Sequence, residues 1–194
     1  MTVILDTCTF AHFLGVAEER IITEYASRVD AEVAVTRTVA GELDGVLRNR
    51  PAFRGTGAFE RWQYLRDSIK ELPEDVTGDV AFARAVSDLH RADLDYRGDL
   101  SARLGDPKDL GEFMTVAHAL RLARSGTRVI VLVDDSYGRR LVNIAKQLLL
   151  REERDFQLIV RSHVRDLVSK MRSEGAEATI ARMEQVQSVP RWPA

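Results

Sequence analysis

Two short apolar runs, one at the start of the chain and the other much later, constrain the fold most strongly. Residues 3–5 (VIL) end at Asp6, and residues 129–133 (VIVLV) end at Asp134 and Asp135. β-branched residues dominate both runs, and neither run alternates polar with apolar residues. This is the pattern of strands that are buried on both faces of a parallel sheet.

Helical periodicity fills most of the remaining chain. Two weaker candidate strands are 32–36 (EVAVT) and 156–160 (FQLIV). The segments with apolar residues at helical spacing are 17–29, 38–47 with Thr38 as its cap, 59–72, 80–104 with a break at Gly98, 109–124, 136–150 and 162–172. A weaker helix is predicted after Gly175, and residues 50–57 are predicted to form a loop. Strands that alternate with helices predict an α/β fold with a mostly parallel central sheet.

Length and composition indicate one domain, with or without an appendage. The chain has 194 residues, 45% of them hydrophobic, so it can bury a core without disulfides or a structural metal. A formal net charge of −2 excludes a protein that coats nucleic acid through overall positive charge. Cys8 is the only cysteine, and no stretch approaches the ~20 apolar residues that span a bilayer. We therefore expect a cytoplasmic protein without a membrane segment.

Acidic residues follow both of the strongest candidate strands. In open parallel sheets, ligands bind at the carboxyl ends of the strands, where Asp6, Asp134 and Asp135 are expected. Carboxylates gathered at this edge repel one another unless a cation binds them, and Mg²⁺ takes oxygen ligands of this kind. Glu42 and Glu112 lie in predicted helices and could join the cluster.

Four motifs carry these acids along the chain, in the order ILDTCTF, VTRTVAGEL, DLGEFMTVAHAL and VIVLVDDSYGRRL. Together they resemble the PIN-domain family of ribonucleases, and most closely the toxin component of VapBC-type toxin–antitoxin systems. The family pattern has an aspartate closing the first strand, a glutamate in a helix after the second, a third acid before a helical run of small residues, and a fourth beyond the last core strand. The matching residues are Asp6, Glu42, Glu112 and Asp135.

The resemblance implies a metal-dependent endoribonuclease that uses Mg²⁺ or Mn²⁺ as its cofactor. Asp6, Glu112 and Asp135 would hold the ion directly or through water, and Glu42 would orient or deprotonate the attacking water. The auxiliary residues expected near the metal are Thr7, Asp109, Asp134 and Ser136, and those expected at RNA phosphates are Arg139 and Arg140.

The resemblance also implies a domain plan and partners. Residues 1–160 would form a three-layer PIN-like nuclease domain with helices flanking the sheet, and 161–194 a helical extension packed on or beside it. Extra helices are expected in an insertion at 50–105 and in this extension. The implied partners are unpaired RNA, a small antitoxin protein and a second copy of the chain. Residues 189–194 (VPRWPA) are expected to be loosely ordered or committed to a partner.

Simpler structural roles compete for several of these residues. Asp109 and Glu112 also form a capping-box pattern, with Asp109 as the N-cap. The other competing roles are Asp135 as a helix cap, Glu42 as a surface acid, and Arg139 and Arg140 on a solvated helix face. The four histidines lack paired metal-ligand spacing, and His118 is expected to lie in or beside the core.

Other functions fit the motifs less well or compete as a whole. Aspartate-nucleophile phosphatases also have a strand ending in aspartate, but they place a second aspartate two residues later, where this chain has Cys8. Phosphorylation receiver domains have an acidic pair after their first strand, whereas Asp134 and Asp135 come late in this chain. The remaining alternative is a catalytically inactive PIN-like binding module whose acidic pocket receives an arginine of a protein partner.

Overall fold

Parallel strands form one central sheet in the computed structural model, which describes residues 1–172 and 174–187. The strands are β1 (Thr2–Leu5), β2 (Glu32–Thr36), β3 (Lys70–Leu72), β4 (Val129–Leu132) and β5 (Ile159–Ser162). Their order across the sheet is β3-β2-β1-β4-β5, so β1 lies in the middle between strands from distant parts of the chain. Ile4 of β1 is in register with Ala34 of β2 and Val131 of β4. The carboxyl ends of all these strands therefore meet at one edge.

Helices connect the strands and follow the last of them. They are α1 (Thr7–Gly15), α2 (Arg20–Arg28), α3 (Arg37–Asn49), α4 (Ala58–Arg66), α5 (Val80–Ala92), α6 (Leu100–Gly105), α7 (Leu110–Arg124), α8 (Ser136–Arg151), α9 (Val164–Met171) and α10 (Ala176–Gln187). Two single-turn 3₁₀ helices cover Pro51–Phe53 and Phe156–Leu158. Crossovers of this length are what parallel strands require.

The core is divided into two layers by the sheet, because successive side chains of a strand point to opposite faces. Val3 and Leu5 of β1 pack with α1, α2, α3, α4, α9 and α10, whereas Ile4 packs on the other face with α5, α7 and α8. All three side chains have no exposed surface. The α/β fold with a parallel central sheet flanked by helices is thus confirmed.

The first helix is absent from the sequence prediction. Its residues are threonines and aromatics of modest helix propensity, so no periodic signal marks it. Burial of Phe10, Phe13 and Leu14 stabilises the helix instead, together with a cap from Asp6. For α3 the predicted cap was Thr38, but Thr36 holds that position and accepts a hydrogen bond from the Val39 N–H at 3.2 Å.

The segment 50–105 differs most from its prediction. The helix expected over 59–72 ends at Arg66, and Lys70–Leu72 forms the edge strand β3 instead. Three residues are too few to show a strand pattern, and pairing with β2 decides their conformation. The helix expected over 80–104 with a break at Gly98 is observed as two helices, since α5 ends at Ala92 and α6 begins at Leu100. The predicted break is confirmed, and it spans 93–99, where Asp93 pairs with Arg103 at 2.8 Å.

Smaller differences occur at the end of the chain. The strand expected at 156–160 begins only at Ile159, after a 3₁₀ turn that Asp155 caps. Helices α9 and α10 pack on the first core layer through Val164, Leu167, Ile180 and Met183. The proposed domain boundary after residue 160 stays a prediction, and the expectation for 189–194 falls outside the described residues. None of the helices in the described ranges is long and apolar enough to cross a membrane.

Candidate metal centre

Asp6 stands directly after β1 and begins helix α1. Its Oδ1 accepts a hydrogen bond of 2.6 Å from the Thr9 N–H, which caps the helix. Its Oδ2 is buried and has no hydrogen-bond partner among the described residues. A buried carboxylate oxygen without a hydrogen-bond partner costs free energy, so Asp6 Oδ2 is a candidate ligand atom for a bound group.

Asp135 repeats this arrangement after β4. Its Oδ1 accepts a hydrogen bond of 2.6 Å from the Gly138 N–H and caps α8, so the capping role considered from the sequence is correct. Its Oδ2 is buried and likewise lacks a partner within the described part of the chain. A Cβ on Gly138 would overlap the Val133 side chain and lie 3.1 Å from this Oδ2, so glycine keeps the turn closed.

Glu112 brings the third carboxylate, from the first turn of α7. One oxygen each from Asp6, Glu112 and Asp135 lies within 4.8 Å of the other two. These carboxylates could hold a metal ion, and the unpartnered Oδ2 atoms of the two aspartates fit that role. An all-oxygen, all-carboxylate donor set suits a hard divalent cation such as Mg²⁺ or Mn²⁺ rather than a softer metal.

Burial and mutual repulsion disturb the acids of this cluster. Burial raises the pKa of Asp6 well above its ordinary value, against the stabilising hydrogen bond from Thr9. Burial also raises the pKa of Glu112 to about 7, and the nearby carboxylates of Asp135 and Glu42 add to the rise. A bound cation would reverse this balance, because it favours the charged form of each carboxylate.

Glu42 approaches the cluster from α3, across the cavity. The Thr7 hydroxyl donates a hydrogen bond to Glu42 Oε2. Gly111 leaves room for this carboxylate, because a Cβ there would lie 2.5 Å from Glu42 Oε2. Burial raises the Glu42 pKa, while the Thr7 hydroxyl and the Gly111 backbone lower it. Glu42 is thus a positioned, partly buried acid beside the acidic cluster, and not the surface acid of the simpler alternative.

Asp109 does not cap α7. Its backbone is left-handed, with φ 57° and ψ 15°, and its side chain makes no capping hydrogen bond. An N-cap residue needs an extended backbone to place its oxygen over the first turn, so the capping-box interpretation of Asp109 and Glu112 is wrong. Asp109 instead lies exposed at the wall of the cavity that contains Glu112.

The remaining predicted residues have different surroundings. Asp134 Oδ1 lies 3.2 Å from His163 Nδ1 and accepts a hydrogen bond from the Val164 N–H at 3.1 Å, so it joins β4 to α9.

Ser136 is exposed at the first position of α8. The exposed Arg139 donates from Nε to the Asp135 carbonyl at 3.1 Å. Arg140 forms ion pairs with Asp93 at 3.1 Å and with Asp95, and these carboxylates partly neutralise its positive charge. RNA contacts for both arginines stay predictions.

A cavity of about 700 Å³ opens over the acidic cluster. Its walls include Thr7, Cys8, Ala11, His12, Glu42, Val46, Arg50, Pro51, Ala52, Phe53, Asp109, Glu112, Asp134 and Asp135. Sequence reasoning missed Arg50 and the 3₁₀ turn after it, because a predicted loop gives no sign of what it faces. It also missed His12, whose pKa burial lowers to about 4, so its imidazole is neutral at pH 7.

The chain matches no family model, no curated protein and no solved structure. What its own geometry establishes is an acidic cluster at the carboxyl edge of a parallel sheet, with an adjoining cavity. The protein is therefore an α/β protein with a parallel five-strand sheet and a carboxylate triad compatible with a metal site.

Proposed function

We propose that this protein is a metal-dependent endoribonuclease of the PIN-domain kind. The main support for this proposal is that Asp6, Glu112 and Asp135 place carboxylate oxygens within 4.8 Å of one another, at the carboxyl ends of the parallel strands β1 and β4. The acids come in the chain order of the PIN resemblance, with Asp6 after β1 and Glu42 in the helix after β2. Glu112 lies in α7, and Asp135 follows β4, which is the fourth strand along the chain and not the last. Structural needs do not explain the arrangement, because helix capping uses only one oxygen of each aspartate.

The three carboxylates would hold Mg²⁺ or Mn²⁺. When bound, such an ion lowers the pKa of a water molecule and stabilises negative charge on a phosphate. The protein supplies the geometry for this chemistry: caps at α1 and α8 fix Asp6 and Asp135, and the first turn of α7 fixes Glu112. Glu112, with a pKa of about 7, must release its proton to act as a ligand.

Glu42 is the group placed to accept a proton from the attacking water. A general base works best when its pKa approaches the working pH, and burial raises the Glu42 pKa in that direction. The Thr7 hydroxyl holds one carboxylate oxygen of Glu42 and so fixes its orientation. Thr7 is therefore a positioning residue in this proposal.

Cleavage of a panel of single-stranded RNAs in Mn²⁺ or Mg²⁺ tests the proposal. We expect wild type to cut and the Asp6→Asn variant, or wild type in EDTA, to lose activity by more than about a hundredfold, as loss of a metal ligand removes the charge stabilisation. Asp99→Asn is the matched control, since Asp99 also caps a helix through Oδ1, at 2.7 Å from the Ala102 N, but at an exposed site. Equal activity of wild type and Asp6→Asn would sink the proposal.

Calorimetric titration with Mn²⁺ separates the enzyme from the inactive binding module. Saturable binding that disappears in Asp6→Asn and persists in Asp99→Asn supports the enzyme. Absence of Mn²⁺ binding at millimolar concentration, together with absence of cleavage, makes the acidic cavity a receptor for a basic partner instead.

A toxin role is the narrower part of the proposal, and it rests on the sequence resemblance alone. It predicts that a small protein encoded next to this chain co-purifies with it and suppresses RNA cleavage. Sedimentation of the purified chain tests the expected homodimer.

A further inference from the structure

The cavity is much larger than a metal site requires. A divalent cation with a full shell of waters occupies roughly 200 Å³, at ~30 Å³ for each water. The cavity measures about 700 Å³ and extends from the acidic cluster to the 3₁₀ turn Pro51–Phe53. Among the described residues, the volume beyond the acidic cluster is therefore large enough for a further group.

The far wall of the cavity is apolar. Ala11 of α1, Val46 of α3 and Ala52 of the 3₁₀ turn line it, and the exposed Pro51 stands at its rim. Phe53 is 5% exposed and belongs to the first core layer, so it anchors the turn rather than offering a free ring. Apolar side chains beside an acidic cluster suit an uncharged, largely apolar group such as the ring of a base.

Arg50 supplies positive charge at the same wall. Within residues 1–172 and 174–187 it is the only arginine or lysine that lines this cavity, and its guanidinium makes no ion pair there. Its backbone is fixed by hydrogen bonds from Arg50 N to the Val46 carbonyl at 3.0 Å and from Phe53 N to the Arg50 carbonyl at 3.1 Å. A fixed arginine without an ion-pair partner, facing a cavity of carboxylates, is placed to bind an anion that the metal also attracts.

We propose that this end of the cavity is a nucleotide subsite, in which Arg50 binds an RNA phosphate and the wall of Ala11, Val46 and Ala52 contacts the unpaired base beside it. The inference rests on the proposed ribonuclease function and names its substrate class. A base can enter only when it is splayed out of a helix, so the subsite selects single-stranded over duplex RNA. His12 also lines this cavity, and burial lowers its pKa to about 4, so it adds no positive charge beside Arg50 at pH 7.

The Arg50 contact can be tested without catalysis. The measurement is the binding of a short, unstructured, fluorescein-labelled RNA by fluorescence anisotropy, first in Ca²⁺ and then in EDTA. Arg50→Gln should weaken binding roughly tenfold and reduce the slope of log K against log salt by about 0.7. Arg50→Lys should restore part of the affinity, since lysine keeps the charge but not the planar fork. Arg54→Gln, four residues further along at an exposed position outside the cavity, is the matched control and should bind like wild type.

The base contact has its own measurement. Replacing single nucleotides of the RNA by abasic ones should weaken binding about fivefold or more at one position, which is the effect of losing an apolar base contact. In Val46→Ser, the intact RNA and the RNA with the abasic nucleotide should bind with nearly equal affinity. The slope of log K against log salt should stay as in wild type. The same RNA annealed to its complement should bind at least about tenfold more weakly than the single strand.

The outcomes distinguish this inference from the proposed function. If Arg50→Gln and Arg54→Gln both bind RNA like wild type, or if duplex and single strand bind equally, the subsite is refuted even when Asp6→Asn abolishes cleavage. If wild type neither binds Mn²⁺ nor cuts RNA, the nuclease proposal fails first, through the titration and not through these variants. The hydrogen bonds that Arg50 makes to Val46 and Phe53 use its backbone and not its side chain, so we expect Arg50→Gln to melt with wild type.

Discussion

Asp6 and Asp135 each serve a helix and a candidate ligand site at once. In both residues Oδ1 accepts a hydrogen bond from a backbone N–H in the first turn of the following helix, while Oδ2 has no partner in the described chain. Capping and metal binding compete when only the sequence is considered. They are compatible in the folded protein, because a carboxylate has two oxygens and each role needs one.

Gly111 offers a test of Glu42 that leaves Glu42 in place. A Cβ at Gly111 would lie 2.5 Å from Glu42 Oε2, so Gly111→Ala must displace the carboxylate. We expect cleavage to fall by about a hundredfold, which is the cost of misplacing a catalytic group by an ångström. Mn²⁺ affinity should change little, because Asp6, Glu112 and Asp135 are untouched. Single-turnover cleavage and calorimetry measure the two effects.

Gly41→Ala is the control for this substitution, since a Cβ at Gly41 meets nothing within 4 Å. It lies next to Glu42 on α3 and should keep activity, with stability equal or raised by up to about 1 kcal/mol. Wild-type cleavage by Gly111→Ala would contradict the role of Glu42.

At the scale of elements, helices α5 and α7 are joined by a buried histidine. The His118 ring stacks on Phe82 with centroids 4.1 Å apart, and His118 is 1% exposed. Burial lowers the His118 pKa to about 4, with Arg121 adding to the effect. The contact therefore depends on a neutral imidazole, and His118 belongs to the core as expected.

His118 should make stability depend on pH in a defined window. The unfolded chain binds a proton at His118 below pH 6.5, whereas the folded chain does so only near pH 4. Stability from this residue is thus complete above pH 6.5 and is lost as pH falls toward 4, by roughly 3 kcal/mol in all. Urea unfolding of wild type and His118→Leu at several pH values measures the difference. Parallel curves for the two proteins between pH 6.5 and 4 would rule this out.

At the scale of the whole molecule, the acidic cluster opposes folding when no cation is bound. The Asp6 pKa is raised, mainly by burial, so the folded chain retains a proton that the unfolded chain releases above about pH 4. Stability therefore falls as pH rises through this range, because the folded state binds more protons. The acidic cluster therefore lowers the free energy of unfolding when no ion is bound, and a bound ion would raise it again.

Thermal melting should show this cost and its reversal. In EDTA at neutral pH, Asp6→Asn should melt about 3 °C above wild type, roughly 1 kcal/mol for a chain of this size, because it keeps the cap and removes a carboxyl group whose pKa burial raises. Mn²⁺ at a hundredfold excess over Kd should raise the wild-type Tm by about 5 to 10 °C and leave the variant unchanged. A wild-type Tm that ignores Mn²⁺ would argue against a metal site.

The segment 50–105 is an integral part of the sheet and of the core, and not an addition to them. It supplies the edge strand β3, and its helix α5 buries Phe82, Val86 and Leu89 on the second face of the sheet. Its interpretation as an insertion followed from its length between two motifs. Pairing with β2 decides the short strand β3, which local sequence does not reveal. The helix break at Gly98 is predicted from the sequence, but its full extent and the Asp93–Arg103 ion pair within it are visible only in the structure.

The pattern of apolar runs is enough to predict the parallel sheet and the acids at its carboxyl edge. Fully apolar β-branched strands must be buried on both faces, and a residue that follows such a strand must stand at the rim. No sequence pattern shows that Asp6, Glu112 and Asp135 meet within 4.8 Å. The left-handed backbone of Asp109 and the position of Arg50 at the same cavity are likewise known only from the folded protein. The acids and Arg50 come from separate elements of the chain, so their meeting depends on packing that no local pattern contains.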